Sequence, residues 1–186
     1  MGIIEDGKGG GTKAEVRKSI LQVSGNEALN ANLNGDGYVL HINSITIDTA
    51  DYLIALMINK DSKGRDMIVT KVDIAGISTD DDAVMEINLG GTFTATVANG
   101  TAAVPGNVNG GSKKVAGGEF YVNDGGGDMT TETGAYICYA QKKGLKNTNT
   151  EMSIPGGWVI PHGQSISVSS TQDDKFHGCI HFYYRD

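Results

Sequence analysis

An apolar run in the first third of the chain constrains the fold more than any other feature. Residues 52–58 are apolar at both odd and even positions. A run of this length is too short for a typical helix, so it predicts a strand buried on both faces. The polar residues 59–66, with Gly64 available for a positive φ, predict a turn, and residues 67–74 predict the returning strand. We therefore expect a β-hairpin at the centre of a β-sheet protein, with Ile68, Val72 and Ile74 on one face of its second strand beside the polar Thr70.

The rest of the composition favours the same fold class. The chain has 186 residues, among them 27 glycines and only three prolines. Many glycines among Thr, Val and Ile predict about eleven short strands joined by tight turns. Residues 27–33 could form at most one helical turn. We expect an all-β fold, an antiparallel two-sheet β-sandwich of the jelly-roll kind, with one sandwich domain at residues 36–186.

The segment before that domain is predicted to be an extended arm and linker, residues 1–35. Residues 2–12 contain five glycines, which makes the segment costly to order by itself. Residues 7–13 resemble a phosphate loop only superficially, because Thr12 precedes Lys13 and no strand precedes Gly7. The interpretation is an arm that docks on a neighbouring chain rather than a nucleotide site, and no cofactor is expected.

The last strand carries the residues most suited to chemistry. Its apolar face is predicted to contain Phe176, Gly178, Ile180, Phe182 and Tyr184. Its other face brings together His177, Cys179 and His181, and residues at i and i+2 of a strand can share a zinc ion. These three are candidate metal ligands, with His41 or Cys138 as candidates to complete the site. The favoured interpretation of this face is packing against another subunit, without metal.

Charge and motifs exclude several classes of function. The formal charge is −7 and no basic cluster exceeds Lys142-Lys143, which argues against nucleic acid as a partner. No apolar run has the length of a membrane span, and residues 1–7 lack the pattern of a signal peptide. The two cysteines are expected to be buried thiols. No catalytic motif is present, so we expect no enzymatic activity.

A resemblance adds a family to this description. The segments are Gly2-Ile3-Ile4-Glu5-Asp6-Gly7-Lys8-Gly9, Lys13-Ala14-Glu15-Val16, Leu56-Met57-Ile58-Asn59-Lys60-Asp61 and Arg65-Asp66-Met67-Ile68-Val69. Together they resemble a group of tailed-bacteriophage virion structural proteins that carry a glycine-rich amino-terminal arm ahead of a β-sandwich. The resemblance covers roughly the first 75 residues in detail.

The resemblance implies a capsid decoration or cement protein that binds the outer capsid surface and stabilises the shell. It implies the major capsid protein as partner, with a virion location after synthesis in the host cytoplasm. The arm residues expected to bind the partner are Ile3, Ile4, Glu5, Asp6, Lys8 and Val16. A homo-oligomer, with a trimer as the working assumption, would use a second apolar face such as Leu53, Ala55 and Met57.

Two other classes stay open. A tail or fibre module that binds host glycan or another tail protein would need Tyr121, Trp158 and Tyr183 exposed side by side. An enzyme on a jelly-roll scaffold would need a deep pocket with converging histidine and acidic side chains. The long glycine-rich loops at residues 104–118 and 124–133 are the regions most suited to contact neighbours.

Overall fold

The computed structural model describes residues 27–47, 53–76, 84–90, 97, 99–125, 129, 137–143, 149–171 and 174–185. These residues form one helix and twelve strands. The elements are α1 (Glu27–Asn34), β1 (Gly37–Ile47), β2 (Leu53–Asn59), β3 (Asp66–Gly76), β4 (Val84–Gly90), β5 (Gly100–Ala102), β6 (Gly106–Asn107), β7 (Gly118–Asn123), β8 (Ile137–Lys143), β9 (Asn149–Met152), β10 (Trp158–Ile160), β11 (Ser165–Ser170) and β12 (Asp174–Arg185).

The strands form two six-stranded antiparallel sheets. Sheet A has the order β10-β3-β12-β1-β6, with β9 also paired to β3. Sheet B has the order β5-β7-β2-β11-β4-β8. The predicted all-β class is confirmed, and two antiparallel sheets are consistent with a β-sandwich.

The core lies between the two sheets and is closed by aromatic side chains. Phe182 stacks on Tyr38 with ring centroids 5.5 Å apart and on Phe120 of sheet B at 5.4 Å. The predicted apolar face of β12 is confirmed, because Phe176, Ile180 and Phe182 are all nearly inaccessible members of this core. The alternation was decisive here because β12 is a central strand of its sheet, with one face held against the core.

The predicted central hairpin is wrong. Strand β2 pairs with β7 and β11 in sheet B, whereas β3 pairs with β12, β9 and β10 in sheet A. The connection between them therefore crosses from one sheet to the other. Asn59 fixes this crossing, since its side-chain amide donates to the carbonyl oxygens of Arg65 and Ile160, both at 2.8 Å. An apolar run shows that a strand is buried but does not say which sheet it joins.

A β-bulge also changes the predicted faces of β3. The register between β3 and β12 shifts between His181 and Phe182, so Thr70 has no directly opposite partner and its hydroxyl bonds to the His181 carbonyl at 3.2 Å. Val72 lies in the core, but Ile68 faces the other way, towards α1. The expectation that Ile68 shares a face with Val72 is therefore wrong, because the extra residue reverses the alternation.

Helix α1 is longer than the single predicted turn and packs on the outer face of sheet A. Ala31 contacts Ile68 and Tyr183, and the Tyr183 hydroxyl donates to Glu27 at 3.1 Å. The helix ends at Asn34 and is followed by Gly35, whose φ of 75° suits glycine. The amides of Gly35 and Asp36 return to the carbonyls of Asn32 and Ala31, at 3.1 and 2.7 Å, which satisfies the last turn.

Candidate functional site

The outer face of sheet A brings together the histidines and the cysteine that the sequence singled out. His177 is exposed, while Cys179 and His181 are half-buried. The register of β1 with β12 places His41 directly opposite Cys179, and the register of β3 places Asp73 opposite Cys179 on its other side. The predicted grouping of these side chains on one face of β12 is confirmed, with His41 as their cross-strand neighbour.

Cys179 and His181 are in contact, with Sγ and Nε2 3.3 Å apart. Burial raises the pKa of the Cys179 thiol, and the nearby Asp73 carboxylate raises it further. Burial also lowers the pKa of His181, followed by the influence of the Lys71 cation. Both environments disfavour the charged form of the group, so near neutral pH this pair is a thiol and a neutral imidazole.

A row of charges runs beside this pair on the same face. The Lys71 ammonium lies 3.1 Å from Asp73 and 3.0 Å from Glu151. Its pKa is raised by the hydrogen bond to Glu151 and then by that to Asp73. The three side chains are partly exposed, so this row is an open, solvated cluster.

The candidate metal ligands are not all assembled. Over the residues that the structure describes, no three His, Cys, Asp or Glu side chains already converge on a point that could hold a metal. Cys138 lies in β8, an edge strand of sheet B, so its backbone is in the opposite sheet from Cys179. Of the two residues expected to complete a site, only His41 is brought close.

The outer face of sheet B differs sharply. Leu53, Leu56 and Ile58 of β2 are buried there with Met129, and Val97 and Tyr121 pack against them. Ala55 and Met57 instead face the core between the sheets. The predicted second apolar face of Leu53, Ala55 and Met57 is therefore wrong, because a register shift between β11 and β2 at Val168/Ser169 separates Leu53 from the other two.

The serines of β11 are buried on this same side. Ser165, Ser167 and Ser169 are each at most 4% exposed. The side-chain amide of Asn88 donates to the Ser169 hydroxyl at 3.0 Å. The Ser167 hydroxyl has no hydrogen-bond partner among the described residues. Ile166 and Val168 of the same strand belong to the core between the sheets, so both faces of β11 are covered.

An ion-pair network that the sequence did not predict lies at one end of the sandwich. The Arg65 guanidinium donates two hydrogen bonds to Asp61, from Nε at 3.0 Å and from Nη2 at 3.1 Å, and a third to Asp36 from Nη1 at 3.0 Å. Lys114 reaches Asp36 at 2.7 Å, and the guanidinium lies 5.0 Å from the centre of the Tyr184 ring. The hydrogen bond from Arg65 lowers the pKa of Asp61.

The pKa of Asp36 reflects two opposing influences. Burial raises it, but hydrogen bonds from Lys114 and Arg65 outweigh that effect and lower the pKa below its ordinary value. The network joins the connection between α1 and β1, the crossing between β2 and β3, and the loop before β7. The spacing of Asp61 and Arg65 was visible in the sequence, but their distant partners were not.

A polar cleft opens between the edges of the two sheets. Its volume is about 640 Å³. The lining includes His41, Asn43, Thr46, Thr101 and Asp124. It is a shallow region of mixed hydroxyl, amide and carboxylate groups. His41 and Asp124 supply the histidine and the acidic side chain that an enzyme would require at such a cleft.

The aromatic arrangement expected of a glycan-binding module is not found. Trp158 is 2% exposed and Tyr183 is 6% exposed. Tyr121 is half-buried on sheet B. Two of the three aromatic side chains are therefore not available to stack on a sugar.

Some predicted sites fall elsewhere. The arm residues Ile3, Ile4, Glu5, Asp6, Lys8 and Val16 lie outside the described residues. So does most of the loop at residues 124–133. The loop at residues 104–118 is described and is held against α1, because Asn109 donates to the Leu33 carbonyl at 3.0 Å and Asn107 to that of Gly35 at 2.8 Å.

Comparison of the chain with family models, with curated proteins and with solved structures finds no match in any of the three. Among the residues that the structure describes, no helix has both the length and the apolar character needed to cross a bilayer.

Proposed function

We propose that this chain is a bacteriophage capsid decoration protein with a jelly-roll body. Strand pairing supports the jelly roll. The first strand pairs with the last, β1 with β12, and the second with the second-last, β2 with β11. Moving inward, β3 pairs with β10 and β4 with β8. A long hairpin wrapped into two sheets gives this nested order, and viral capsid domains are among the proteins that use it.

The fold does not determine the function, so the binding surface carries the proposal. Leu29 and Leu33 are 52% and 68% exposed. They lie one helical turn apart and therefore share the outer face of α1. On the opposite side of the helix, Ala31 is held against Ile68 and Tyr183. A helix fixed to the body by one face that presents leucines on the other suits a protein partner.

The surroundings of α1 extend this surface. Val108 is 43% exposed, and its amide donates to the Gly37 carbonyl at 3.0 Å, just after the helix. The neighbouring Asn109 bonds to the end of α1 through the Leu33 carbonyl. The loop expected to contact neighbours thus lies beside the exposed leucines. The predicted arm and linker, residues 1–35, include α1, and residues 1–26 precede the helix in the chain.

The proposed mechanism is binding without chemistry. The arm residues Ile3 and Ile4 dock on one capsid subunit, while the outer face of α1 rests on the same subunit or the next. Two linked contacts bind far more strongly than either alone, because the second is intramolecular once the first has formed. Bridging neighbouring subunits in this way stabilises the shell. A trimer would multiply the contacts further, and sedimentation equilibrium measures whether one forms.

Uptake by bare shells tests the proposal. Purified, tag-free protein is mixed with shells lacking it, and bound protein is quantified after sedimentation together with the temperature of shell disruption. We expect saturable, stoichiometric uptake and a higher disruption temperature. No uptake at micromolar protein would contradict the proposal.

Two variants separate the contacts. Ile3→Ser with Ile4→Ser alters the arm, and Leu29→Ser with Leu33→Ser alters the helix face. Each is expected to weaken uptake by about tenfold or more, because fully burying one Leu or Ile side chain contributes about 1.5–3 kcal/mol and 1.4 kcal/mol corresponds to a factor of about ten in affinity. The matched control is Val159→Ser, at a side chain of β10 that is 44% exposed and lies outside the loop at residues 104–118, and it should leave uptake unchanged.

The alternative, a tail or fibre module, predicts a different outcome. Such a protein would remain free of shells and bind isolated tails or host cells. The exposed leucines favour a protein partner over a glycan, because sugar-binding sites depend on exposed aromatic faces and polar groups.

A further inference from the structure

We propose that Cys179, His181 and His41 bind one zinc ion on the outer face of sheet A, with the fourth coordination position open to water or an external ligand. The proposal concerns a different surface from α1 and does not depend on shell binding.

The backbone places the three residues at ligand spacing. Cys179 and His181 are i and i+2 on β12, about 6.6 Å apart along the strand on one face. His41 is directly opposite Cys179 on β1, where Cβ atoms are about 4.5–5.5 Å apart. The three positions form a compact triangle that side chains of this length can close around one ion. His177 is on the same face but is opposite Ala75, on the far side of Cys179 from His181.

Two of the three ligands already have nearly the required separation. Zinc–sulfur bonds of about 2.3 Å and zinc–nitrogen bonds of about 2.0–2.1 Å at a tetrahedral angle put sulfur and nitrogen about 3.5 Å apart. Cys179 Sγ and His181 Nε2 are 3.3 Å apart. A zinc ion would therefore enter with only a small adjustment of this pair.

The third ligand needs a side-chain rotation. His41 is exposed, so its imidazole is free of tight packing and can turn towards Cys179. This rotation accounts for the lack of a preassembled three-ligand group among the described residues. Asp73 also faces Cys179, but its carboxylate is held by Lys71 at 3.1 Å.

The ligand set selects the metal. A thiolate and two imidazoles suit zinc, and three protein ligands with an open fourth position are typical of reactive rather than purely structural zinc sites. On binding, the Cys179 S–H bond breaks, the sulfur keeps the electron pair for the metal, and one proton is released to solvent. The groups facing the thiol are His41 from β1 and Asp73 and Lys71 from β3, with Glu151 of β9 held by Lys71.

Titration of metal-free protein with Co²⁺, followed by displacement with Zn²⁺, tests the site. Co²⁺ reports a thiolate ligand by its charge-transfer absorption and tetrahedral geometry by its visible bands. We expect one ion per chain without a change in the mass measured by sedimentation, and tighter binding as the pH rises. Cys179→Ser should abolish the charge-transfer band, and His41→Ala should weaken binding by about tenfold or more.

Two matched controls make the assignment specific. His177→Ala removes an exposed histidine from the same strand and face, and Cys138→Ser removes the cysteine in sheet B. Both should leave Co²⁺ affinity unchanged. Because His41 and His177 are both exposed, their variants should fold, and urea unfolding of each confirms it.

Three results would overturn the inference. The first is no Co²⁺ or Zn²⁺ binding at micromolar metal. The second is half an ion per chain with formation of a dimer, which would place the site between two copies. The third is an equal loss of affinity in His177→Ala and His41→Ala, which would show nonspecific histidine binding.

Discussion

The two sheets have outer faces of opposite character. On sheet A, the central strand β12 presents His177, Cys179 and His181, which are exposed or half-buried. On sheet B, the central strands β2 and β11 present Leu56 and Ser167, which are no more than 1% exposed. One face is therefore open for ligands over much of β12, and the other is already covered within the chain.

This difference shows that an alternation of apolar and polar residues identifies the two faces of a strand. It does not show whether the polar face is exposed to solvent or covered by other residues. In β12 the polar face meets solvent, as a half-polar strand is expected to do. In β11 the serines are as buried as the Ile and Val between them. Serine is small and tolerates either environment, so its pattern carries little information about cover.

The largest expected effect comes from the closed face. Leu56→Ala should lower the free energy of unfolding by about 3 kcal/mol, since it removes a fully buried side chain and leaves a cavity. His177→Ala, its counterpart on the open face, should leave the unfolding midpoint unchanged. Urea unfolding measures both, and similar midpoints for the two variants would show that sheet B is not covered in solution.

Buried and exposed ion pairs should also differ in how much they stabilise the fold. Arg65→Ala should cost about 2 kcal/mol, because it leaves the largely buried Asp36 and Asp61 without their shared partner. Lys71→Ala, in the open cluster on sheet A, should have no measurable effect. Equal losses in urea unfolding would mean that the Arg65 network is as solvated as the surface cluster.

The pH dependence of stability provides a second test of the difference between the Arg65 network and the Lys71 cluster. In the folded protein the pKa values of Asp36 and Asp61 are below their ordinary values, so the unfolded state binds more protons as the pH falls below about 4. The stabilisation is complete above the unfolded pKa and is lost as the pH falls through the folded pKa.

The variant Asp61→Asn tests whether Asp61 is a source of the loss of stability at low pH. The free energy of unfolding of this variant should depend less steeply on pH below about 4 than that of the unaltered protein. Parallel profiles for the two proteins would exclude Asp61 as a source of the acid sensitivity.

The smallest expected effects separate two serines of the closed face. Ser169→Ala removes the acceptor for Asn88, which is 7% exposed, and should cost about 1 kcal/mol. Ser167→Ala removes a buried hydroxyl without a partner in the described part of the chain and should be neutral or stabilising by about 0.5 kcal/mol. Equal destabilisation by the two would show that Ser167 has a partner in solution.

The fold class and the faces of β12 could be predicted because they depend on local patterns. Short strands, glycine-rich turns and a strict alternation in residues 176–184 all pointed to the same architecture. The predicted hairpin was wrong because the chain crosses from sheet B to sheet A after β2. That crossing depends on the hydrogen bond from Asn59 to the carbonyl of Ile160, which is far away in the sequence. The predicted faces of β3 were wrong because of the bulge at Thr70, and no residue type in the sequence requires a bulge there.

The candidate sites were predicted in part for the same reason. The grouping of Cys179 with His181 follows from the strand alone, and both are in contact. The position of His41 opposite Cys179 depends on the pairing of the first strand with the last. The sequence alone identifies His41 as a histidine that could bind metal. Only the register of β1 with β12 shows that it is a neighbour of Cys179.

Hydrogen exchange of shell-bound and free protein tests the central claim of shell binding most directly. We predict slower exchange on binding in residues 1–26 and in α1, with no change in β2, which is already covered in the free chain. Protection confined to β2 and β11, or no difference between the two samples at residues 1–34, would contradict the proposed role of the arm and helix in holding the shell.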